Sequence, residues 1–482
     1  MKRTFLIVVG TISSLTTLHA LAQAQSTGSE WKLSGNIRIR PEYWDWFGTA
    51  KADGTYFFTG SQLRLAATRN TSQDEAVVEI EGVSLAGLPS GSVAAAPQGQ
   101  LGVGAAYRAA NGSKNAGVFV KQGFYKWKQA LGPDSSIKLG RFEFSDGVEL
   151  ASKDSSMSYL KRERIGQRLI GPFGWTQVGR SFDGVQFSSG THSVNSTLFA
   201  AQPTRGVFST NGMDSLGDIK LVYLSGSQAY QKSASINDTR WFGIYYTDDR
   251  KGALKTDNRT AAARAADTGS LHIATVGGNF TTVKSTGIGK LDGLVWFAGQ
   301  FGQWGALNHN AHAYAAEAGF QPKGAPTRLW LRCGYYHASG DGNSADNQHN
   351  TFFPVLPTPR PYARFPFFSE TNLNDAFVQA IMKPGSKTTM RTDFHVLALS
   401  DGHDLWYGGG GAYDNNAFGY SGRPSGGLRS LEKLLDLSID VQLRKTTSIG
   451  FYLAVAEAGN VAQTSFTGKH AALGYVELNQ KF

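Results

Sequence analysis

Apolar and polar residues alternate with a period of two along almost the whole chain, the spacing that sends successive side chains to opposite faces of a β-strand. At 31–40, Trp31, Leu33, Ile37 and Ile39 share one face, and Lys32, Asn36, Arg38 and Arg40 the other. Leu63 and Leu65 alternate with Gln62, Arg64 and Thr68, and Val78 and Ile80 with Glu79 and Glu81. Further on, Leu329, Leu331, Cys333 and Tyr335 oppose Arg328, Trp330 and Arg332, while Met390, Phe394 and Val396 oppose Arg391, Asp393 and His395. The most regular case sets Leu435, Leu437, Ile439, Val441 and Leu443 against Asp436, Ser438, Asp440, Gln442 and Arg444. About eighteen strands follow from the pattern, the first at 31–43 and the last at 470–482.

Alternation alone fits a soluble sandwich, with its apolar face inward, as well as a membrane barrel, with its apolar face on lipid and its charges in a wet lumen. Connection lengths separate the two. Long links are expected at 87–116, 143–179, 249–268, 338–373 and 400–430, and tight ones at 70–73, near 191, near 286, at 384–387 and near 445. Strictly alternating long and short links predict an all-β, up-and-down antiparallel transmembrane barrel with long extracellular loops and short periplasmic turns; a Greek-key sandwich does not produce them. The chain ends Tyr475-Val476-Glu477-Leu478-Asn479-Gln480-Lys481-Phe482, alternating to the last residue. It resembles the C-terminal signal of outer-membrane barrels that their assembly machinery reads, with Gln480 in place of the usual apolar residue.

Composition narrows the class further. Lys2 and Arg3 precede an apolar run from Phe5 to Val9 that continues weakly to Leu21, a secretory signal over 1–24 with cleavage after Ala22 or Ala24. Its removal lowers the formal charge from +10 to +8 and leaves 25–482, expected as a single barrel domain. No later stretch approaches the ~20 apolar residues of a spanning helix. One cysteine, Cys333, excludes an intramolecular disulfide. Charged residues make up only 17% of the chain while Gly (58) and aromatics (12%) are spread evenly, which suits one large β structure better than several soluble domains.

The candidate chemistry is concentrated at 137–187. Gly140-Arg141 through Asp146-Gly147 is echoed by Gly179-Arg180 through Asp183-Gly184, and a basic segment with Lys161, Arg162, Arg164 and Arg168 lies between them. Fixed guanidinium groups suit carboxylate recognition because each donates two parallel hydrogen bonds. The blocks Leu139–Val148, Leu160–Ser188, Phe352–Phe368, Asp404–Gly411 and Phe418–Gly422 resemble, in that order, the alginate export family of outer-membrane proteins. The resemblance implies a monomeric eighteen-stranded barrel in the outer membrane of a Gram-negative bacterium. Its lumen would carry an arginine-rich path for an anionic, alginate-like polysaccharide or oligosaccharide, and export is the implied direction. Outer-membrane lipid, the barrel-assembly machinery acting on the C-terminal strand and periplasmic secretion partners are the expected partners.

At the residue level, alternation places Arg38, Arg40, Arg64, Arg328, Arg332, Arg391 and Arg444 on the lumen face, with Glu79, Glu81, Asp393, Asp436 and Asp440 among them. Alternation breaks at Gly140-Arg141 and at Phe182, so Arg141, Asp146, Arg180 and Asp183 join the lumen set on the motif match. Arg162 and Arg164 come from the basic segment, and Arg360 and Arg364 from a loop stiffened by Pro354, Pro357, Pro359 and Pro361. These fifteen Arg and Asp side chains form the expected substrate-contacting set; the other carboxylates orient them and keep a polyanion from binding too tightly to leave. Asp341-Gly342-Asn343 through Asp346 offers oxygen ligands but lacks the full spacing of a calcium loop. There is no Walker loop, CxxC, HExxH or GxSxG. Asp393 and His395 share a face but have no nucleophile beside them. No enzyme, cofactor or metal is expected, and charges scattered over many strands make no nucleic-acid patch. Uptake of small anionic solutes and an outer-membrane barrel enzyme remain the competing functions.

Overall fold

The computed structural model describes residues 31–358, 363–365 and 368–482. The signal segment 1–24 and Arg360, with Pro359, Pro361 and Tyr362, lie outside the described residues. The strands are β1 (Trp31–Asp45), β2 (Thr55–Asn70), β3 (Asp74–Ala86), β4 (Ala116–Lys128), β5 (Ser135–Phe142), β6 (Phe182–Gly190), β7 (Val194–Pro203), β8 (Ile219–Lys232), β9 (Ser235–Asp248), β10 (Leu271–Thr286), β11 (Gly289–Trp304), β12 (Leu307–Pro322), β13 (Trp330–Ala338), β14 (Gln348–His349), β15 (Leu373–Met382), β16 (Thr388–Leu399), β17 (Trp406–Gly409), β18 (Tyr420–Arg423), β19 (Ser430–Arg444), β20 (Thr447–Ala458) and β21 (His470–Lys481). Eighteen of them form a closed antiparallel barrel. β14 adds only a short parallel pairing to β12, and β17 and β18 form a separate ribbon in a loop. Each wall strand pairs with its sequence neighbours, and β1 closes the ring on β21 with Ile39 opposite Leu478 and Trp44 opposite Leu473. Closure pairs β1 with β21 and so leaves no open sheet edge in the wall, which is what lets strands cross a bilayer.

The alternation has the inverted sense expected of a membrane wall. Leu33, Leu65, Val78, Leu331, Val396, Leu435 and Leu453 are exposed on the outside. Tyr43, Phe57, Tyr245 and Phe301 lie at the long-loop ends of their strands and Trp31, Trp127 and Tyr230 at the short-turn ends, as two aromatic girdles. At the short-turn rim the connections are 71–73, 129–134, 191–193, 233–234, 287–288, 323–329, 383–387 and 445–446. The other rim carries the long loops, but strict alternation fails there once: β11 and β12 are joined by 305–306 alone. Two expected lumen residues also change place. Arg328 precedes β13 in the turn 323–329, exposed and with φ 49°, so strand periodicity does not reach it. Arg444 ends β19 beside a bulge, exposed at the short-turn rim.

The wet lumen holds for only part of the barrel. Over the outer half, loops 87–115, 143–181 and 400–429 and the segments 339–358, 363–365 and 368–372 fold inward and bury inward-facing aromatic residues of the wall. Trp44 stacks on Tyr56 and meets Phe365; Phe144 stacks on Phe199, and Trp304 on His349. A hydrophobic core therefore sits inside the barrel, although its members read in sequence as one more set of alternating apolar positions.

Candidate functional site

The loop 143–181 crosses the lumen, and its basic segment is what anchors it. It descends through a short helix, Ser155–Tyr159, capped by Asp154, whose side chain accepts from Ser156 N and Met157 N. Ser156 Oγ accepts from Gln321 Nε2 (2.9 Å) and Asp154 pairs with Lys290 (3.1 Å), so this helix lies against the short-turn ends of β11 and β12. A single π-helical stretch, Leu160–Ile165, follows and turns successive basic residues in different directions. Lys161 pairs with Asp238 of β9 (2.5 Å). Arg164 donates twice to Glu317 of β12 (2.9 and 3.0 Å), which also accepts from Arg332 of β13 (3.0 Å) and Arg168 (3.4 Å). Arg332 in turn donates to Asp292 of β11 (3.2 Å). Arg164, Arg332 and Glu317 have no solvent exposure. Such a cluster is held together by reciprocal neutralisation and is sealed from any solute.

The twin motif is also a locking device. β5 pairs with β6 so that Gly140 faces Gly184 and Arg141 faces Asp183. Arg141 then donates to both oxygens of Asp183, at 2.7 and 2.8 Å. Gly140 has φ 126°, and a Cβ there would stand 2.3 Å from Gly123 O, so this close approach requires glycine. Asp146 accepts from Leu169 N, Ile170 N and Arg240 of β9. Arg180 behaves differently. It is fully buried, donates to Gly410 O (2.5 Å), lies over the Phe173 ring and has no carboxylate within 4.0 Å among the described residues. Burial lowers its guanidinium to about 10.

A second set of charges lies on the opposite wall, where the loop's residues 174–177 pack: Arg40, Glu42 and Glu81 are buried, and Arg38, Arg64, Glu79 and Glu477 are partly exposed. Arg38 donates to Gly174 O (2.8 Å), Thr176 O and Gln177 Oε1, with Glu477 at 3.9 Å. Arg40 is pinned by Glu42 (2.8 Å), Glu477 (3.2 Å) and Trp175 O (2.8 Å). Arg64 is shared by Glu79 (3.5 Å), Glu81 (2.7 Å) and Glu143 (3.0 Å). Burial pushes the Glu143 carboxyl up, but Lys121 and Arg64 outweigh it, so this loop carboxylate sits below its ordinary range. Arg364 reaches inward to Tyr475 Oη (3.2 Å) and Asp440 (3.9 Å), with side-chain exposures of 30% for Arg364 and 54% for Asp440. Arg162 and Glu163 are exposed, and Arg391 donates to Asp393 (2.5 Å). The lumen is thus divided. The basic segment is cemented dry against β9–β13, and along β1–β3 and β19–β21 runs a strip where partly water-accessible arginines and carboxylates interleave around the buried Arg40, Glu42 and Glu81.

Above this strip, the long loops enclose a cavity of about 290 Å³ lined by Trp46, Phe173, Phe208, Tyr413, Phe418 and Arg423 among others. The sequence reading missed Lys121, Glu143, Arg240, Glu317 and Glu477. Arg240 and Glu477 alternate with Trp241 and Val476, and periodicity was signal enough to find them. Glu143 and Lys121 are partners only through the fold.

Residues 161–471 match the alginate export family. The outer-membrane protein OpdK of Pseudomonas aeruginosa aligns over 94% of this chain and 99% of its own, at 9% identity and TM-score 0.52. OccK2 (OpdF) of the same organism aligns over 94% and 97%, at 9% identity and TM-score 0.54. OccAB4 of Acinetobacter baumannii aligns over 95% and 99%, at 9% identity and TM-score 0.51. At that identity the likeness is one of fold. No curated protein matches the chain by sequence. Since the family match spans most of the barrel and the fold is that of outer-membrane porins, the chain belongs to the alginate export family of outer-membrane channels.

Proposed function

We propose that this channel passes a carboxylate-bearing polysaccharide or oligosaccharide across the outer membrane of a Gram-negative bacterium, with export as the direction. The observation that carries this reading is the partly water-accessible strip, where Arg38, Arg64, Arg162 and Arg364 interleave with Glu143, Glu163, Asp440 and Glu477. Guanidinium groups spaced along a wall offer successive sites to a repeating carboxylate, and the intervening acids keep each site shallow enough to be left. The aromatic cavity among the long loops adds ring faces on which sugars can rest, with Arg423 beside them. The barrel does not do catalysis in this reading; family and fold are of the channel type. Uptake of small anionic solutes is the second reading, favoured by the dense aromatic packing of the outer half.

Planar-bilayer reversal potentials test the proposal. An anion-selective current blocked by uronate oligomers is expected. Anion current never blocked by uronates would move the small-solute reading ahead, and a cation-selective or non-conducting channel would remove both.

A further inference from the structure

We propose that His395, Asp393 and Asp436 form a binding site for a divalent transition-metal cation of the zinc type, set into the wall between β16 and β19. The β16–β19 register puts Asp393 directly opposite Asp436, and His395 follows two residues later on the same face. One ligand atom from each residue lies within 4.8 Å of the other two. All three side chains are buried.

The histidine sets this cluster apart from the other buried carboxylates of the lumen. His395 Nδ1 lies 3.0 Å from both oxygens of Asp375 on β15. An imidazole that donates from Nδ1 to a carboxylate presents the lone pair of Nε2, the second-sphere arrangement that orients metal-binding histidines. Here Nε2 is buried and has no hydrogen-bond partner. Phe377 stacks on the ring at 5.6 Å and holds its plane.

Three carboxylates, Asp375, Asp393 and Asp436, gather around the imidazole, and Arg391 donates to Asp393 Oδ2 at 2.5 Å. Neutral donors also reach the pair: Gln379 Nε2 to Asp393 Oδ1 (2.5 Å) and Tyr452 Oη to Asp436 Oδ2 (3.2 Å). Each bonded carboxylate oxygen keeps a lone pair for a metal. One imidazole nitrogen and two carboxylate oxygens suit zinc and its neighbours, whereas calcium takes about six to eight oxygens. A water or the Tyr452 hydroxyl completes four-coordination. The role of such a bond is structural: it adds a side-chain cross-link to the ladder that already pairs β16 with β19.

The test uses tag-free barrel in detergent, stripped with chelator and dialysed. Zinc added at micromolar concentration is counted by mass spectrometry, and cobalt substitution is read by its ligand-field absorption. The wild type is expected to bind about one equivalent and to show tetrahedral cobalt bands. His395→Ala and Asp436→Asn should lose both signals while remaining heat-modifiable on gels, and Asp375→Asn should bind about 10- to 100-fold more weakly. His349→Ala, at a separate buried histidine pair, should bind as the wild type does. A stripped wild type that takes up neither metal overturns the proposal whatever the variants do; a proton on His395 is then the occupant. Binding that survives in both His395→Ala and Asp436→Asn, or that is lost in His349→Ala instead, overturns it as well.

Discussion

Glu317 shows why a count of arginines misjudges a lumen. It accepts from Arg164, Arg168 and Arg332 without touching water, so these three cations hold a loop in place. Removing the one acid they share should strand buried charge. Glu317→Ala is expected to destabilise by about 3–5 kcal/mol, measured as a lower temperature for loss of the folded gel band, and to release loop 143–181 to protease. Arg364 and Arg141 make the opposite comparison. Arg141 is satisfied by both oxygens of Asp183, whereas Arg364 is 30% exposed with the Asp440 carboxylate 3.9 Å away. A fixed charge acts on a passing ion within about 8 Å at physiological salt. Arg364→Ala should therefore reduce anion selectivity in planar bilayers by several-fold, and Arg141→Ala should leave it nearly unchanged while lowering thermal stability.

At the scale of elements, Phe482 extends the β1–β21 seam that closes the ring. Phe482 N donates to Gly35 O (3.0 Å) and Phe482 O accepts from Gly35 N (2.8 Å). Its ring lies over Gly35, where a Cβ would stand 2.4 Å from Phe482 Cζ. Deleting Phe482 and introducing Gly35→Val attack the same contact from either side, and each should lower the amount of heat-modifiable barrel recovered from membranes. The outer loops carry a pH response of defined sign. Asp404 accepts from Asp341 N, Thr351 Oγ1, Leu405 N and Tyr407 Oη; even so, burial pushes its carboxyl up to about 6. Burial, helped by Asp404, raises Asp341 to about 6 as well. Folded loops thus hold protons that open loops would release. The stabilising contribution is full below the ordinary carboxylate value and is lost as pH rises through about 6. Amide exchange at 348–358 and 403–409, corrected for intrinsic rates, should be slower at about pH 4 than at about pH 7. Asp404→Asn should flatten the difference.

For the whole molecule, the barrel is asymmetric inside. Buried ion pairs and aromatic packing fill the sector beneath β9–β13 and the outer half, leaving the strip along β1–β3 and β19–β21 as the partly wet surface. Conduction through such an eccentric path depends on few side chains, so selectivity should be sensitive to single changes on the strip and insensitive to changes elsewhere on the lumen face. The mature charge expected from sequence, +8, is the excess left after such pairs cancel, and part of it lies on the short-turn rim, at Arg328 and Arg444, away from the strip.

The sequence by itself determined the wall. A period of two over membrane-length segments, long and short links and a terminal aromatic strand are local signals, and all eighteen strands formed close to where the pattern put them. Lumen-facing residues such as Arg38, Arg64 and Arg391 were legible for the same reason: alternation assigns a side. What alternation cannot assign is what stands opposite across the barrel. Whether an inward arginine meets water, as Arg364 does, or three-way burial against Glu317, as Arg164 does, depends on how loop 143–181 folds into the lumen. That path is fixed by contacts between residues 150 positions apart in sequence or more, such as Arg164 with Glu317 and Arg180 with Gly410. Only the tertiary structure brings those partners together.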